Sequence, residues 1–408
     1  MNTATRRQFL LASGVTGGAA LLAGATGVTW QQLMRHAVVA PLAGGTPILV
    51  VLTMYGGNDG LNTVIPYADP AYHDARPGLS YTADEVLTLD NQFGLNPAMT
   101  GMAKLWQRKK LAIVRGVGYP DPDLSHFRSM DIWQTASPKE PISTGWIGRW
   151  LDATGADPLR AVNIGAVLPP LAVGAKSAAA ALPLGTSRPF PAPVAAAITA
   201  LGHADRSDAA TDTLVTSSCR AERQVAATFA PVLGHANSAP AGQPRSAAGS
   251  DLSRQLDLVA RCITAGVPTR VYTVSQGGFD THADEKGTQQ DQLGVVDSAV
   301  AGFFTRMEHD PRGRDVVLLA YSEFGRRVHA NASQGTDHGT AGPVFLAGSP
   351  VIGGFHSAEP SLTDLDNGNL KPTSDFRAIY AEVLAKVLGA DPVHVLGNHP
   401  TPIGLLHA

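Results

Sequence analysis

The chain has 408 residues, of which 44% are hydrophobic and 16% are charged, a composition that can bury a core and excludes an intrinsically disordered protein. Its 31 basic residues and 34 acidic residues nearly balance, and no long run of Lys or Arg occurs. The sequence therefore argues against nucleic acid as a partner, because binding to phosphate backbones needs clustered positive charge.

Residues 1–40 are predicted to form a twin-arginine signal peptide or anchor. Residues 5–10 read TRRQFL, and a weakly apolar stretch rich in Gly and Ala follows. Its glycines make this stretch less apolar than an ordinary membrane span. Cleavage near residues 23–25 or at residues 38–40 would suit the small residues there, and an uncleaved anchor is the alternative. We expect a periplasmic or secreted protein that meets the twin-arginine export machinery and contacts the membrane only through an uncleaved signal.

Cys219 and Cys262 are the two cysteines of the chain, and each falls in a predicted helix. Two thiols can pair in an oxidising compartment, so a disulfide between them is left open. A redox-active or zinc-thiolate role is disfavoured, because the chain has no CxxC motif and no third sulfur ligand.

Strands and helices alternate along the rest of the chain, which is typical of an α/β fold. An apolar, β-branched run over residues 47–55 predicts a buried central strand that ends in a glycine-rich loop. Further strands are predicted over residues 111–114, 269–275, 315–320 and 343–347. Helices are predicted over residues 97–110, 127–135, 146–152, 213–233, 251–266, 289–308 and 375–388.

Residues 41–408 are predicted to form a single domain. Its central sheet is expected to be mostly parallel or mixed, with helices on both faces. An insertion over about residues 166–250 interrupts it, because the composition shifts there to Ala, Pro, Gly and Ser with little charge. Within this insertion we expect an ordered first part and a surface linker over residues 234–250.

Acidic residues and histidines follow the predicted strands repeatedly, at the place where α/β sheets bind ligands. They are Asp59 after the first strand, Asp280 and His282 after residues 269–275, Glu323 after residues 315–320, and then Asp337, His338 and His356. Any one of them alone is more typical of a turn, a helix cap or an ordinary surface residue. Their recurrence at one edge favours a site for a divalent metal, with zinc, manganese and calcium left open.

A hydroxyl and an imidazole lie side by side just before the helix predicted over residues 127–135. Ser125 is the candidate nucleophile, activated by a metal or by a nearby base such as His126, and the helix N-terminus favours a bound anion. The alternative is that Ser125 caps the helix, and both roles are compatible. Arg326 could face an anionic substrate or only solvent.

These motifs, taken in order, resemble a known family. The segments GGNDGLN, SHF before DIW, FDTH, YSEFGR and DHG, with the twin-arginine start, are similar to the secreted bacterial family catalogued as domain of unknown function 1501. The likeness covers roughly residue 47 to the C-terminus. That family looks like a member of the alkaline phosphatase and sulfatase superfamily, which implies an alkaline-phosphatase-like three-layer sandwich. Members of that superfamily bind one or two divalent metals at strand ends and cleave phosphate or sulfate esters.

The resemblance also implies roles for individual residues. Asp59 resembles the first-strand aspartate, Asp280 and His282 the central pair, Glu323 stands where Asp-His is usual, and His338 or His356 would be the last histidine. Ser125 is the best placed candidate for the nucleophile that the resemblance implies. No Cys-x-Pro-x-Arg sulfatase signature occurs, so formylglycine chemistry is disfavoured. Arg326 would offset charge on the transferring group.

Two functions remain open at this point. The first is an exported, metal-dependent hydrolase of phosphate or sulfate esters, acting on an anionic small-molecule or glycan ester. The second is a catalytically inactive relative that serves as an envelope binding or scaffold protein. The Asp-x-His spacing at residues 280–282, where phosphatases usually have Asp-x-x-x-His, motivates the second.

Overall fold

The structure is a computed structural model that describes residues 28, 30–155, 157–184 and 250–407. The helix predicted over residues 213–233, nearly all of the predicted linker and Cys219 lie outside these residues. Cys262 lies within them and is buried. Burial raises the pKa of its thiol to about 12, so an unreactive packing role is expected for it.

Nine strands form the central sheet of the described residues, and five shorter strands form two small sheets beside it. In chain order the strands are β1 (Ile48–Met54), β2 (Val64–Ile65), β3 (Leu87–Thr88), β4 (Gly94–Leu95), β5 (Leu111–Gly118), β6 (Ala161–Ile164), β7 (Ala180–Leu182), β8 (Val271–Gln276), β9 (Val316–Ser322), β10 (Gly342–Ala347), β11 (Gly354–His356), β12 (Leu365–Asp366), β13 (Asn369–Leu370) and β14 (Ser374–Asp375).

The central sheet has the order β11-β5-β10-β9-β1-β8-β6-β7, and β14 also pairs with β5. Strand β10 runs antiparallel to both of its neighbours, whereas the other pairs in this sheet are parallel. The prediction of a mostly parallel or mixed sheet is therefore confirmed. Because β10 alone is reversed, it begins at the edge where β1, β5, β8 and β9 end.

The described helices pack on both faces of this sheet. They are α1 (Trp30–Val39), α2 (Pro70–Ala75), α3 (Thr100–Gln107), α4 (His126–Thr135), α5 (Trp146–Thr154), α6 (Asp251–Thr264), α7 (Glu285–Met307), α8 (Phe376–Glu382) and α9 (Pro392–Leu396). A short π-helical segment, Val383–Leu388, continues α8. Among the described residues, no helix combines the length and the apolar character that a membrane crossing requires.

The side chains of β1 alternate between two hydrophobic cores, as the pleat of a strand dictates. Ile48, Val50 and Leu52 join the core that α3, α6 and α7 cover, whereas Leu49 and Val51 join the core under α4, α5 and α8. A strand buried on both sides reads as a continuous apolar run, and this explains the sequence of residues 48–52. The layers are helix, sheet and helix.

Two segments outside the predicted central strands contribute to the fold. Helix α1 lies within the expected signal segment, yet its Leu33 is buried in the core that α3, α6 and α7 cover. Residues 166–184 belong to the expected insertion, yet their strand β7 completes the edge of the central sheet beside β6. Both segments therefore contribute contacts to the described fold, the second as the ordered part of the expected insertion.

Candidate functional site

Four loops meet at the edge of the sheet where β5, β8 and β9 end and β10 begins. They bring together His126 from the start of α4, Asp280 and His282 after β8, Glu323 after β9, and His338 before β10. Gly56 in the loop after β1 makes this approach possible. Its φ is +118°, and a Cβ on it would lie 2.5 Å from the backbone nitrogen of Asp280.

Three imidazoles surround one carboxylate oxygen at this edge. Oδ1 of Asp280 lies 3.4 Å from Nε2 of His126, 3.2 Å from Nε2 of His338 and 3.0 Å from Nε2 of His282. His126, Asp280 and His338 each offer one atom that could bind a metal, and these three atoms lie within 4.8 Å of one another. We call these three residues the His-Asp-His cluster.

Hydrogen bonds on the far side of two rings fix which nitrogen faces inward. Nδ1 of His126 lies 2.8 Å from a carboxylate oxygen of Glu323, and Nδ1 of His338 lies 2.8 Å from the carbonyl oxygen of Leu124. Both partners are acceptors, so each Nδ1 carries the hydrogen when the ring is neutral. The Nε2 atoms then turn lone pairs toward Asp280. Phe324 packs against both rings, at centroid distances of 4.9 Å from His126 and 4.8 Å from His338.

This arrangement fits a divalent metal. Two nitrogen lone pairs and a carboxylate converge, and Nε2 of His126 is buried without a hydrogen-bond partner among the described residues. A cation would offset this concentration of acceptors, and a set of two histidines and one carboxylate suits zinc or manganese. The hydrogen bonds to Glu323 and Leu124 are the outer contacts that typically orient metal-binding histidines.

Glu323 is buried and its carboxylate collects three donors. Besides His126, it accepts hydrogen bonds from the backbone nitrogen of Gly56 at 2.9 Å and from Oγ of Ser322 at 3.0 Å. Its own carbonyl accepts a hydrogen bond from Oγ of Ser129 on α4 at 2.5 Å. Sequence reasoning placed Glu323 among the metal ligands. The structure places Glu323 behind His126, where its carboxylate accepts a hydrogen bond from Nδ1 of that ring.

Arg326 has a different environment from the one expected for a substrate contact. Its guanidinium is fully buried and donates to four backbone carbonyls, namely those of Gly56, Gly57, Phe279 and Thr336. It also donates to Oδ1 of Asp280 at 2.8 Å. Burial alone would raise the pKa of Asp280, but the hydrogen bond from Arg326 and its positive charge lower it to about 2. Arg326 therefore fixes the loops and keeps Asp280 ionised.

Asp59 lies away from the His-Asp-His cluster, in a buried ion pair. Its two carboxylate oxygens contact Arg76 at 2.5 Å and 3.0 Å, and one of them caps the short turn after β1. Glu285 lies beside this pair, and burial together with the charge of Asp59 raises the pKa of Glu285 to about 9. Oε1 of Glu285 has no hydrogen-bond partner among the described residues, and protonation lets Glu285 donate to Asp59. With its oxygens occupied by Arg76, Asp59 is not placed to bind the metal.

His282, Asp337 and His356 show three different degrees of connection to the cluster. His282 contacts both Asp280 and His338, at 3.0 Å each, and is 45% exposed. Asp337 lies behind it, with 3.6 Å between Oδ1 of Asp337 and Nδ1 of His282. His356 sits on the edge strand β11, where its ring contacts the carbonyl oxygen of Ile352 at 2.8 Å, so it lies apart from the cluster.

Ser125 occupies the N-cap position of α4, directly before His126, and is exposed. Its backbone is extended, but its side chain makes no capping hydrogen bond. The helix therefore does not use this hydroxyl as a cap. Phe127 follows the pair and is 92% exposed, so an apolar ring stands at the rim beside the cluster.

The comparison with solved structures finds distant likenesses. A protein in the alkaline phosphatase superfamily from Vibrio parahaemolyticus is 10% identical, with 91% of this chain and 79% of that chain covered at a TM-score of 0.42. A putative sulfatase from Bacteroides thetaiotaomicron is 12% identical, with 88% and 76% covered at a TM-score of 0.34. The C-terminal periplasmic domain of EcEptC from Escherichia coli is 11% identical, with 90% and 93% covered at a TM-score of 0.37.

At these identities and TM-scores, the likenesses assign no activity to this chain. None of the curated proteins compared with the chain matches it. The family expected from the motifs is confirmed independently, since the model described as "Protein of unknown function (DUF1501)" matches residues 115–392. This match spans the loops that supply the His-Asp-His cluster and more than half of the chain, and the chain therefore belongs to the DUF1501 family.

Proposed function

We propose that this protein is an exported, metal-dependent hydrolase of phosphate or sulfate esters. The observation that supports the proposal most directly is the His-Asp-His cluster, in which two fixed imidazoles and an ionised carboxylate turn lone pairs toward one point. Export is inferred from the twin-arginine motif over residues 5–10. The substrate class is an anionic small-molecule or glycan ester.

The metal would be held by His126, Asp280 and His338, with His282 close enough to join them. Zinc or manganese suits the two nitrogen donors better than calcium, which prefers an all-oxygen set. When bound, such a metal acts as a Lewis acid that polarises an ester oxygen and lowers the pKa of a nearby hydroxyl or water.

The chain's own residues would orient and activate the reacting groups. Ser125 presents a free hydroxyl at the N-terminus of α4, where the backbone N–H groups favour an anionic ester. His282 is half exposed and contacts Asp280 and His338, so it would approach a bound metal from the solvent side. Arg326 and Glu323 act as positioning residues, because they hold Asp280 and His126 without reaching the substrate.

Metal analysis on protein purified without chelator tests the proposal. We expect about one equivalent of a transition metal in the wild type, and loss of both metal and ester hydrolysis in Asp280→Ala and in His126→Ala. His356→Ala is the matched control, because His356 lies apart from the cluster. Full hydrolysis in Asp280→Ala would refute the proposal, as would a wild-type protein that neither carries nor takes up metal.

A binding or scaffold role is the second candidate, and the burial of Arg326 favours it. Hydrolases of phosphate esters commonly use an exposed cation to offset charge on the transferring group. Arg326, the arginine expected for that task, instead donates its hydrogen bonds to backbone carbonyls and to Asp280. Stoichiometric metal without turnover of p-nitrophenyl phosphate or p-nitrophenyl sulfate would support this role. Turnover that is lost in Ser125→Ala would exclude it.

A further inference from the structure

A buried chain of hydrogen bonds runs behind the His-Asp-His cluster. The backbone nitrogen of Asp123 donates to the hydroxyl of Tyr119 at 3.1 Å, and that hydroxyl lies 2.7 Å from Oγ of Ser129 on α4. Ser129 in turn donates to the carbonyl oxygen of Glu323 at 2.5 Å. Tyr119 is 3% exposed and Ser129 is fully buried, so water does not compete for these contacts.

Each hydroxyl of this chain has one donor and one acceptor. Ser129 uses its only hydroxyl hydrogen on Glu323, so its oxygen accepts from Tyr119. Tyr119 uses its hydrogen on Ser129, so its oxygen accepts from the backbone of Asp123. The hydrogen bonds therefore all run in one direction, and removing either hydroxyl leaves a buried partner without its bond.

The two ends of the chain lie beside the outer contacts of both histidines of the cluster. One end is the segment that carries Leu124, whose carbonyl oxygen accepts the hydrogen bond from Nδ1 of His338. The other end is Glu323, whose carboxylate accepts the hydrogen bond from Nδ1 of His126. The hydroxyl of Tyr119 therefore ties the backbone position of Leu124 to that of Glu323.

The same chain holds the loop that carries the candidate nucleophile. Ser125 lies between Tyr119 and α4, and its backbone nitrogen donates to a carboxylate oxygen of Asp123 at 2.8 Å. The ring of Tyr119 is held separately, because Phe376 packs edge-on against it at a centroid distance of 6.1 Å. Replacing Tyr119 by Phe would thus remove the hydrogen bonds and keep the packing.

We propose that Tyr119 and Ser129 are positioning residues of this site. Their hydroxyls fix the loop over residues 119–125 against the start of α4, and so set the geometry of the metal site and of Ser125 without contacting a substrate. Such support matters because a displacement of about 1 Å at a reacting group can cost about a hundredfold in rate. The effect on turnover rests on the proposed hydrolase function, whereas the effect on the two histidine rings does not.

NMR of the metal-free protein with isotope-labelled histidine tests the proposal without metal or substrate. At a pH where the rings are neutral, His126 and His338 of the wild type should carry hydrogen on Nδ1. In Tyr119→Phe and in Ser129→Ala we expect His338 to become a mixture of tautomers, because the carbonyl that accepts its hydrogen is no longer held in place. The signals are assigned with His126→Ala and His338→Ala.

Zinc affinity and ester hydrolysis of the same variants extend the test to the function of the site. Each variant should bind zinc about tenfold more weakly than the wild type. The double variant Y119F/S129A should be little weaker than either single variant, because both changes break one chain. At saturating zinc, kcat for the p-nitrophenyl ester that the wild type hydrolyses should fall about tenfold, with KM changed less than about twofold.

Thr269→Val is the matched control, because Thr269 is fully buried and its hydroxyl donates to the carbonyl of Leu159 at 2.6 Å. This variant also loses a buried hydroxyl bond, but just before β8 and away from the cluster. Its stability to denaturant should fall, while the histidine signals and the zinc affinity stay unchanged.

Unaltered signals of His338 in Tyr119→Phe or in Ser129→Ala would overturn the proposal, as would an equal change in Thr269→Val. Unaltered zinc affinity of both variants, beside a wild type that binds zinc, would also overturn it. If the signals change as expected but the wild type hydrolyses no ester, the hydrolase function fails and the positioning role stands.

Discussion

The buried carboxylate of Glu323 pairs with the partly exposed imidazole of His126, with 2.8 Å between Oε1 of Glu323 and Nδ1 of His126. The pair joins the end of β9 to the start of α4, two segments that are 197 residues apart in the chain. A carboxylate in this position fixes the tautomer of a metal-binding histidine and raises its basicity. The geometry of the cluster therefore depends on Glu323 although Glu323 contacts no substrate.

Glu323→Gln should weaken metal binding by about 10-fold to 100-fold, because the neutral amide no longer supports the His126 tautomer. Metal affinity is measured by competition with a chelating dye. Glu308→Gln is the control, since Glu308 is a partly exposed glutamate at the opposite end of the sheet. An unchanged affinity in Glu323→Gln would show that His126 does not bind the metal through Nε2.

His338→Ala should remove tight metal binding, whereas His282→Ala should weaken it by a smaller factor. His338 is anchored by the carbonyl of Leu124, but His282 is half exposed and its Nδ1 has only a 3.6 Å contact with Asp337. Ligands held by an outer hydrogen bond contribute more to affinity than mobile ones. Titration of both metal-free variants with zinc measures which variant loses more affinity. A larger loss in His282→Ala than in His338→Ala would indicate that the metal lies nearer to Asp337.

Ser125→Ala should leave stability nearly unchanged, within about 0.5 kcal/mol, although Ser125 occupies an N-cap position. Loss of a capping serine usually costs about 1 kcal/mol, but this side chain makes no capping hydrogen bond. If Ser125 is the nucleophile, kcat should fall about a thousandfold or more. Denaturant unfolding and steady-state kinetics on the same preparation separate the two roles. A stability loss with full turnover would identify a cap.

Glu285→Gln should stabilise the protein increasingly from pH 5 to pH 9. The folded-state pKa of Glu285 is raised to about 9, so folding binds a proton that the unfolded chain releases above its ordinary pKa. Stability therefore falls as pH rises through this window, by up to about 1.4 kcal/mol per pH unit. The glutamine mimics the neutral acid and removes this slope. Guanidinium unfolding of the metal-free protein across the window measures it.

Glu85→Gln serves as the control for that series, because Glu85 is exposed and pairs with Lys286. Burial does not dominate its titration, since hydrogen bonds from Thr82 lower the pKa of Glu85. We expect the pH slope of the wild type to persist in Glu85→Gln. An identical slope in Glu285→Gln and wild type would mean that Glu285 is ionised in the folded state.

Leu33→Ala should destabilise the domain by about 3 kcal/mol, because Leu33 on α1 is fully buried in the core that α3, α6 and α7 cover. Val39→Ala on the same helix is the control, as Val39 is 84% exposed. Chemical denaturation compares the two variants. A cost below about 1 kcal/mol for Leu33→Ala would show that α1 is not an integral part of the fold.

The same packing bears on signal processing. Of the two cleavage positions that the sequence offers, the one at residues 38–40 would remove Trp30 and Leu33 from the domain, whereas the one near residues 23–25 would keep them. On the proposed export, we expect the mature chain to retain α1. Intact mass measurement of the mature chain decides between the two positions.

The central strands could be predicted from the sequence because burial on both faces leaves a continuous apolar run. The run over residues 47–55 matches β1, and the predictions near residues 269–275 and 315–320 match β8 and β9 within a few residues. Strands β6 and β7 were missed, since strands of only three or four residues have no distinctive period. Helix α1 was missed because its apolar face was assigned to the signal.

The candidate site could be predicted only as a set of strand ends. That rule placed Asp280, His282, Glu323 and His338 at one edge, where the structure brings them together. It could not separate Asp59, whose partner Arg76 lies 17 residues further along, or reveal that Arg326 turns inward. Nor could it identify Leu124 and Phe324, because a backbone carbonyl and a packing ring leave no signature in a single sequence.

The guanidinium of Arg326 joins three loops through hydrogen bonds, since its acceptors come from the segments after β1, after β8 and before β10. Loops joined through one buried cation cannot open independently, because releasing any of them leaves N–H donors of the Arg326 guanidinium unsatisfied. Their amide protons should therefore exchange with solvent as one cooperative unit. The length of each loop is likewise tied to the other two, so insertions are better tolerated elsewhere on the surface.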